Sequence, residues 1–155
     1  MTHRTKPLSP TGGRVSEDAH LHLSTMTRTG RHGRIAENLV VWFLKNRGYH
    51  VVDRNFRTTT GEIDIIALER RSNFLAIHFV EVKSRYGHSR AMPEYAVTYT
   101  KQKKIFGTAR FWILTHRYRR TVYHFDIAAV LVPDRRLPHI RYLPDAYYPR
   151  QEFGW

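Results

Sequence analysis

The chain has 155 residues, of which 26 are Lys or Arg and 13 are Asp or Glu, so its net charge is +13 at neutral pH. The absence of cysteine excludes disulfide scaffolds, thiolate zinc sites and cysteine nucleophiles. No apolar stretch reaches the ~20 residues that cross a bilayer, and a hydrophobic content of 41% is too high for a disordered chain. We expect a soluble, cytoplasmic single domain whose charge suits nucleic acid first and an acidic membrane surface second.

The N-terminal residues 1–29 are rich in Ser, Thr, Gly, Pro and His and show no apolar periodicity, which predicts a disordered extension. Met26 precedes the first periodic pattern and is an alternative start. The extension carries four cations and two acids (4 − 2 = +2), so 13 − 2 = +11 of the charge lies on the rest. The folded domain is predicted over residues 30–148, followed by a tail over 149–155.

Helical spacing begins at Ile35, and the predicted helix ends at Gly48, a typical C-terminal capping residue. A short strand is predicted over 49–56, followed by clearer strands over 62–68 and 74–83. The apolar residues that this first helix is predicted to bury are Ile35, Leu39, Trp42 and Phe43.

A second helix is predicted to begin at Pro93, because proline is favoured at the first helical position. Residues 122–132 then predict another strand, and the chain after Pro133 is predicted to be irregular. The order is therefore helix, three strands, helix, strand, which is a mixed α/β domain. The predicted inner face of the second helix consists of Ile105, Ala109, Trp112, Ile113 and His116.

The second and third strands predict a hairpin centred between Ser72 and Asn73, where the turn signal is strongest. Residues whose numbers add to 145 would then face each other. Asp64 would oppose Glu81 and Glu62 would oppose Lys83, all on one face of the sheet. The core residues predicted for the other face are Ile63, Ile65, Ala67, His78, Val80 and Val82.

Two opposed carboxylates repel each other, so one of them holds a proton or a cation lies between them. Oxygen ligands at this spacing suit Mg²⁺ or Mn²⁺ better than zinc. An ordinary ion pair between Glu62 and Lys83, or a register shifted by two residues, is the alternative that the pattern leaves open.

The spacing of Asp64 and Glu81-Val82-Lys83 resembles the PD-(D/E)xK nuclease signature, and the wider pattern resembles the YraN family of bacterial proteins. The similarity covers about residues 30–148. The resemblance implies a restriction-endonuclease-like α/β core of order α-β-β-β-α-β, with a mixed central sheet flanked by helices, related to the Holliday-junction resolvases of archaea. The segments that carry it include Gly33-Arg34-x-Ala36-Glu37, Gly61-Glu62-Ile63-Asp64-Ile65-Ile66-Ala67, Phe79-Val80-Glu81-Val82-Lys83-Ser84-Arg85, Pro93-Glu94-x-Ala96-Val97-Thr98-x-x-Lys101-Gln102 and Phe125-Asp126-Ile127.

The resemblance implies a metal-dependent nuclease that hydrolyses phosphodiester bonds in DNA, with branched or junction DNA as the favoured substrate and a homodimer as the plausible assembly. Asp64 and Glu81 would hold the Mg²⁺, helped by the Val82 carbonyl, and Glu37 would complete the ligand set. Lys83 would orient the attacking water and stabilise the phosphate. Glu62 is assigned as a partner of Lys83. The competing reading of Glu37 is a solvated helix residue.

Basic residues around the acidic patch are the predicted DNA contacts, because neutralising phosphates supplies most non-specific affinity. A non-catalytic nucleic-acid-binding protein of the same fold is the main rival function, and a basic RNA-associated protein is a third. We predict that Asp126 is structural, that His78 and Trp42 belong to the core, and that several tyrosines pack the tail or stack on bases. The DNA-contact candidates are Arg54, Arg57, Arg85, Arg90, Lys101, Lys103 and Lys104, and the tyrosines are Tyr86, Tyr142, Tyr147 and Tyr148.

Overall fold

The structure, a computed structural model, describes residues 28–88 and 91–149. Residues 1–27 of the predicted extension, the alternative start at Met26, the DNA-contact candidate Arg90 and residues 150–155 of the predicted tail lie outside these ranges. Residues 28 and 29, which we assigned to the extension, form the start of the first helix. None of the helices in the described part of the chain is both long and apolar enough to cross a membrane.

Two helices and five strands form one α/β unit, and its sheet has the strand order β1-β2-β3-β4-β5. β3 and β4 are parallel, and the other neighbouring strands are antiparallel. A parallel pair needs a crossover connection, which the second helix provides. The predicted order α-β-β-β-α-β is confirmed. The elements are α1 (Arg28–Lys45), β1 (His50–Arg57), β2 (Glu62–Arg70), β3 (Leu75–Gly87), α2 (Tyr99–His116), β4 (Thr121–Pro133) and β5 (His139–Leu143).

The predicted register of the β2–β3 hairpin is confirmed from Arg70↔Leu75 to Ile65↔Val80, pairs whose numbers add to 145. The Arg71 N–H donates to the Phe74 carbonyl at 3.0 Å and closes the turn. Pairing between the two strands stops after Ile65↔Val80, whereas β3 continues beside β4 as far as Gly87↔Pro133. The second half of β3 is therefore paired on one side only.

The sheet is covered on both faces, so it has two apolar layers rather than one. α1 covers one face with Ala36, Val40 and Leu44, which follow each other at intervals of four and are fully buried. The prediction that Ile35 and Trp42 belong to the core is wrong: the side chain of Trp42 is 65% exposed. Because Ala36 is small, α1 lies close to the sheet. The residues that the helix buries are therefore one position further along the chain than those that we predict.

α2 covers the other face, and Ile105, Ala109 and Trp112 are buried there as predicted. The helix begins at Tyr99 rather than at Pro93, because the Thr98 side chain accepts the Lys101 N–H and caps the first turn. His116 is exposed near the end of the helix.

The segment after Pro133 also departs from the prediction, because it contains the short edge strand β5. This strand pairs with β4 from Leu131↔His139 to Ile127↔Leu143.

Candidate active site

Asp64 lies where β2 separates from β3. Ile65 packs in the layer under α1, whereas Ile63 packs in the layer under α2, so the alternation of side chains breaks at Asp64. The prediction that Ile63 and Ile65 share a face is therefore wrong. Beyond the last β2–β3 pair, the Val82 N–H donates to Asp64 Oδ2 at 2.7 Å. This bond holds the Asp64 carboxylate beside the strand that carries Glu81.

The Asp64 and Glu81 carboxyl groups form an acidic pair. Glu81 is 6% exposed, and Asp64 is partly buried. Burial, and then the charge of Glu81, raises the pKa of Asp64 to about 7, although the Val82 N–H opposes the shift. Asp64 therefore carries a proton through most of the acidic range, as expected when two carboxyl groups share a site without a cation between them.

Glu81 lies between two lysines that come from different elements. Lys83 Nζ is 3.3 Å from Oε1, and Lys101 Nζ, from the first turn of α2, is 3.3 Å from Oε2. The Lys101 contact has ion-pair distance but not hydrogen-bond geometry, and the buried Oε2 atom has no hydrogen-bond partner. The structure thus places Lys101, which we predicted only as a DNA contact, directly on the acidic pair.

Glu37 faces the same cleft as Asp64 from α1. Its Oε2 accepts a hydrogen bond from Asn55 Nδ2 at 2.9 Å and lies 3.5 Å from an Arg54 nitrogen. Asn55 has a φ of 52°, a left-handed conformation that asparagine tolerates, and this turns its amide toward α1. Within residues 28–88 and 91–149, no three His, Asp or Glu side chains converge tightly enough to enclose a metal ion. Glu37 is near the acidic pair but is engaged elsewhere.

Glu62 is not the partner of Lys83 that the hairpin register predicted. Its Oε2 lies 3.1 Å from Arg57 Nε, its neighbour across the β1–β2 pair. The reason is that β2 leaves β3 at Asp64, so the register no longer brings Glu62 to Lys83.

Two adjoining clefts open on this end of the sheet and share the Arg57–Glu62 pair. The first, of about 630 Å³, lies toward α1 and contains Asp64 with the guanidinium groups of Arg34 and Arg54. The second, of about 460 Å³, lies toward α2 and contains Lys101 and Lys104. The two clefts together form a groove, and each of them contains at least one carboxylate and several cations.

Gly61 allows α2 to approach the start of β2. A Cβ atom at this position would lie 2.9 Å from the Cβ of Lys104, which is shorter than the contact distances that Cβ atoms adopt in proteins. Of the two remaining DNA-contact candidates, Lys103 is exposed on α2, and Arg85 is half-buried in the part of β3 that pairs with β4 alone.

The side chains present fit a hard divalent cation in part. Glu81 Oε2 is buried and accepts no hydrogen bond, and the neighbouring Asp64 carboxyl group retains its proton to about pH 7. The positive charge close to these oxygen atoms comes from lysines. Asp64 and Glu81 supply two oxygen ligands of the type that Mg²⁺ and Mn²⁺ prefer. A third carboxylate ligand would require Glu37 to leave Asn55.

Asp126 has a structural role on β4, where it is paired with Val80. It is fully buried and accepts the Asp145 N–H at 2.8 Å, with His78 Nδ1 at 2.7 Å and the Tyr142 hydroxyl as further partners. His78 is buried, as we predicted. Tyr147 is also buried in the core, so these aromatic residues pack the domain and are not free to stack on bases.

Tyr86 and Tyr148 lie nearer the surface. Tyr86 stacks on His32, and its hydroxyl donates to the His32 carbonyl. Tyr148 is exposed.

Sequence reasoning named Lys101 as a DNA contact but did not predict its contact with Glu81, and it assigned no role to Asn55, which holds Glu37. A signal for Lys101 was present, because the first turn of α2 carries no acidic residue to offset the positive end of the helix dipole. A lysine placed there needs an acid from elsewhere, and Glu81 provides it. An asparagine inside a predicted strand was the signal for the irregularity at Asn55.

Comparison with known proteins gives a consistent family. A profile described as "Uncharacterised protein family UPF0102" matches residues 36–130, a stretch that includes both carboxyl groups of the pair and both lysines. A UPF0102 protein of Geotalea daltonii is 37% identical over 115 residues, which is 74% of this chain and 87% of that protein. A UPF0102 protein of Clostridium botulinum is 40% identical over 101 residues, 64% of this chain and 79% of that protein. The chain belongs to the uncharacterised protein family UPF0102, the YraN family that its motifs resemble.

Proposed function

We propose that this protein is a metal-dependent nuclease that hydrolyses phosphodiester bonds in DNA. The observation that carries the proposal is the acidic pair of Asp64 and Glu81, held beside Lys83 and Lys101. Asp64 and Lys101 also line the groove, together with other cations. Desolvating two carboxyl groups against each other is unfavourable, and fold stability alone gives no reason to retain them. A cation-assisted reaction gives one.

Asp64 and Glu81 are the residues that would hold Mg²⁺ or Mn²⁺. Such an ion lowers the pKa of a bound water and offsets charge on the scissile phosphate. The Val82 N–H fixes Asp64 Oδ2 in place, which leaves Oδ1 as the atom free to face the groove. Glu37 lines the same cleft and is positioned to accept a hydrogen bond from a water there.

Lys83 and Lys101 supply positive charge on both sides of Glu81. A phosphate that enters the groove offers each ammonium group a new partner, so both lysines would turn from Glu81 toward the phosphate oxygens. Lys83, on the same strand as Glu81, would orient the attacking water and stabilise the pentavalent phosphate. Lys101 contributes charge from the opposite wall.

The substrate assignment to DNA rests on the shape and charge of the groove. Arg34, Arg54 and Arg57 line it toward α1, and Lys101 and Lys104 line it toward α2. These cations would contact the sugar-phosphate backbone and fix its position without reading bases. A preference for branched DNA, and a homodimer that presents two such grooves, are parts of the proposal that the family resemblance suggests.

A non-catalytic nucleic-acid-binding protein is the second candidate. It is favoured by the two lysines that already neutralise Glu81 and by the engagement of Glu37 with Arg54 and Asn55. On that view, the acidic pair is a closed structural ion cluster and the groove binds phosphate without cutting it.

Incubation with labelled linear duplex, single-stranded, flap and four-way-junction DNA separates the two candidates. Each substrate is tested with Mg²⁺, with Mn²⁺ and with EDTA. We expect cleavage only with metal, and a loss of at least about a hundredfold in rate for Asp64→Asn and Lys83→Ala, since each removes a group that acts in the transition state.

Glu62→Gln is the matched control, because it neutralises an acid of the same groove that neither holds the metal nor touches Lys83. It should cut at a rate close to wild type. Binding without cleavage of any substrate would establish the non-catalytic candidate instead. Equal cleavage by the wild type and both variants would refute the assignment of Asp64 and Lys83 to the active site.

A further inference from the structure

The end of the sheet opposite the acidic pair carries a second concentration of positive charge. β2 ends there, β3 and β4 begin there, and both helices have their C-termini there. Counting ~3.3 Å per residue, the six residues from Leu75 to Glu81 place this end about 20 Å from the acidic pair. We name it the arginine end, and its cations are Lys45, Arg47, Arg70, Arg71, Arg117, Arg119 and Arg120.

Strand pairing brings these residues together although they come from three parts of the sequence. Arg70 is paired with Leu75, and Leu75 is paired with Thr121, the residue after Arg120. The Leu75 N–H also donates to the Arg120 carbonyl at 2.9 Å. Since neighbouring strands lie ~4.8 Å apart, Arg70 and Arg120 are separated by about two strand spacings. All seven cations are exposed.

Local pairing accounts for only part of this charge. Arg71 lies 2.7 Å from Glu69. Two further carboxylates of the described residues lie near this end, where Asp145 pairs with His124 and Asp53 lies 3.9 Å from His116. The negative ends of the two helix dipoles are equivalent to about half a charge each. Seven cations, less three carboxylates and about one charge for the helices, leave an excess of about +3. Within the described residues, Arg70, Arg117, Arg119 and Arg120 have no carboxylate at ion-pair distance.

Two of these arginines also adopt a backbone conformation that other residues would favour. Arg117 has a φ of 49° and Arg120 a φ of 54°, in the left-handed region typical of glycine and asparagine. Arginine at both positions is unfavourable for the backbone, and residues in such unfavourable conformations are concentrated at functional sites.

The composition of the arginine end favours a phosphodiester backbone over a lipid surface. Six of the seven cations are arginines, whose planar guanidinium groups bind phosphate oxygens in pairs. Phe74, 43% exposed, lies among them and offers a stacking surface for a base, and Tyr118, 41% exposed, lies there with its ring stacked on Trp112. A membrane-binding surface would need an amphipathic helix or an apolar wedge, and the chain here consists of a turn and a loop.

We propose that the arginine end is a second DNA-binding surface, which holds the backbone of a duplex segment other than the one that lies in the groove. The choice of DNA rests on the proposed function, but binding at this end does not require hydrolysis. Four neighbouring strands span about 15 Å, and duplex DNA carries one charge per ~1.7 Å. About nine phosphates therefore pass this surface, enough to engage the unpaired arginines on the side that faces the protein.

The test measures binding of the full chain to a labelled 30-base-pair duplex in EDTA, at several salt concentrations. The variant replaces Arg117, Arg119 and Arg120 with Gln. We expect its dissociation constant to rise at least about tenfold at 0.1 M salt, and the slope of log K against log salt to fall by about 3, because each lost phosphate contact removes about 0.9. The Arg→Lys variant at the same three positions should retain the wild-type slope.

A second triple variant, Arg110→Gln with Arg135→Gln and Arg136→Gln, controls for net charge, since it removes three exposed arginines from other parts of the surface. The proposal is overturned if this control weakens binding as much as the first variant, if the first variant binds like wild type, or if the arginines are needed for vesicles with phosphatidylserine and not for the duplex. Because EDTA prevents metal-dependent cutting, none of these results depends on whether Asp64 and Glu81 support hydrolysis.

Discussion

Replacing Asp64 with Asn is expected to stabilise the metal-free protein at alkaline pH. The pKa of Asp64 rises from 3.8 to about 7 on folding, a shift of about three units, mainly because the carboxyl group is buried beside Glu81. Each unit corresponds to about 1.4 kcal/mol, so ionising Asp64 in the folded state costs up to about 4 kcal/mol. An asparagine avoids this cost, and its Oδ1 can still accept the Val82 N–H while its Nδ2 can donate to the unbonded Glu81 Oε2.

The sign of the pH dependence follows from the direction of the shift. Between about pH 4 and pH 7 the folded protein holds a proton that the unfolded chain has released, so the unfolding free energy of the wild type falls by about 1.4 kcal/mol per pH unit through this range. The contribution of Asp64 is fully present below pH 4 and is lost above pH 7. The difference between Asp64→Asn and wild type should therefore be small at pH 4 and reach about 2 to 4 kcal/mol at pH 8.

Urea denaturation in EDTA at pH 4.5, 6 and 8 measures this difference. Glu62→Gln is the matched control, because that carboxylate is half-exposed in the same groove and should show no such trend. Adding Mg²⁺ at pH 8 should stabilise wild type and leave Asp64→Asn unchanged, since only a ligand that binds the folded state shifts the equilibrium. An asparagine variant that is less stable than wild type at pH 8, or a difference that does not change with pH, would refute the reasoning.

Three further substitutions test the groove and the core. Lys101→Met should tighten Mn²⁺ binding at pH 8, measured by titration calorimetry, because the cation no longer competes with an ammonium group 3.3 Å from Glu81; weaker binding would contradict this. Gly61→Ala should cost about 1 to 3 kcal/mol in urea denaturation, since its Cβ would meet that of Lys104 at 2.9 Å, and an unchanged midpoint would count against the packing. Asp126→Ala should cost about 3 to 5 kcal/mol, because the buried His78 and two part-buried donors lose their acceptor; a loss under about 1 kcal/mol would show that they find others.

The hairpin and its acidic pair could be predicted because both depend on local information. The turn signal at Ser72 and Asn73 fixes the register, and a register fixes which residues share a face. The same argument failed for Glu62, since a register holds only while the strands stay paired. The separation of β2 from β3 at Asp64 depends on how β1 and the helices pack against the sheet. These contacts join distant parts of the chain, so no local sequence pattern predicts them.

The faces of the helices were harder to predict. Helical periodicity includes Ile35 and Trp42 as readily as Ala36 and Val40, because Trp and Ile have more apolar surface than Ala. Because α1 lies close to the sheet, the small Ala36 is buried there and the larger Ile35 and Trp42 are exposed. At α2, the proline at 93 gave a plausible start, but the Thr98 side chain caps the helix later.

The parallel pairing of β3 and β4 has a consequence for the order of folding. Every pair in it joins residues 46 positions apart, as 121 − 75 shows, whereas the strands from β1 to β3 meet through short turns. Strands that are close in sequence pair fastest, so β1, β2 and β3 should pair first. α2 should dock next, and β4 should pair with β3 last. Before α2 docks, Glu81 and Asp64 are already on adjacent strands, but Lys101 has not yet arrived. Lys101 thus reaches the acidic pair only when α2 docks. A chain that stops before this step has two neighbouring carboxyl groups and only one of their two lysines.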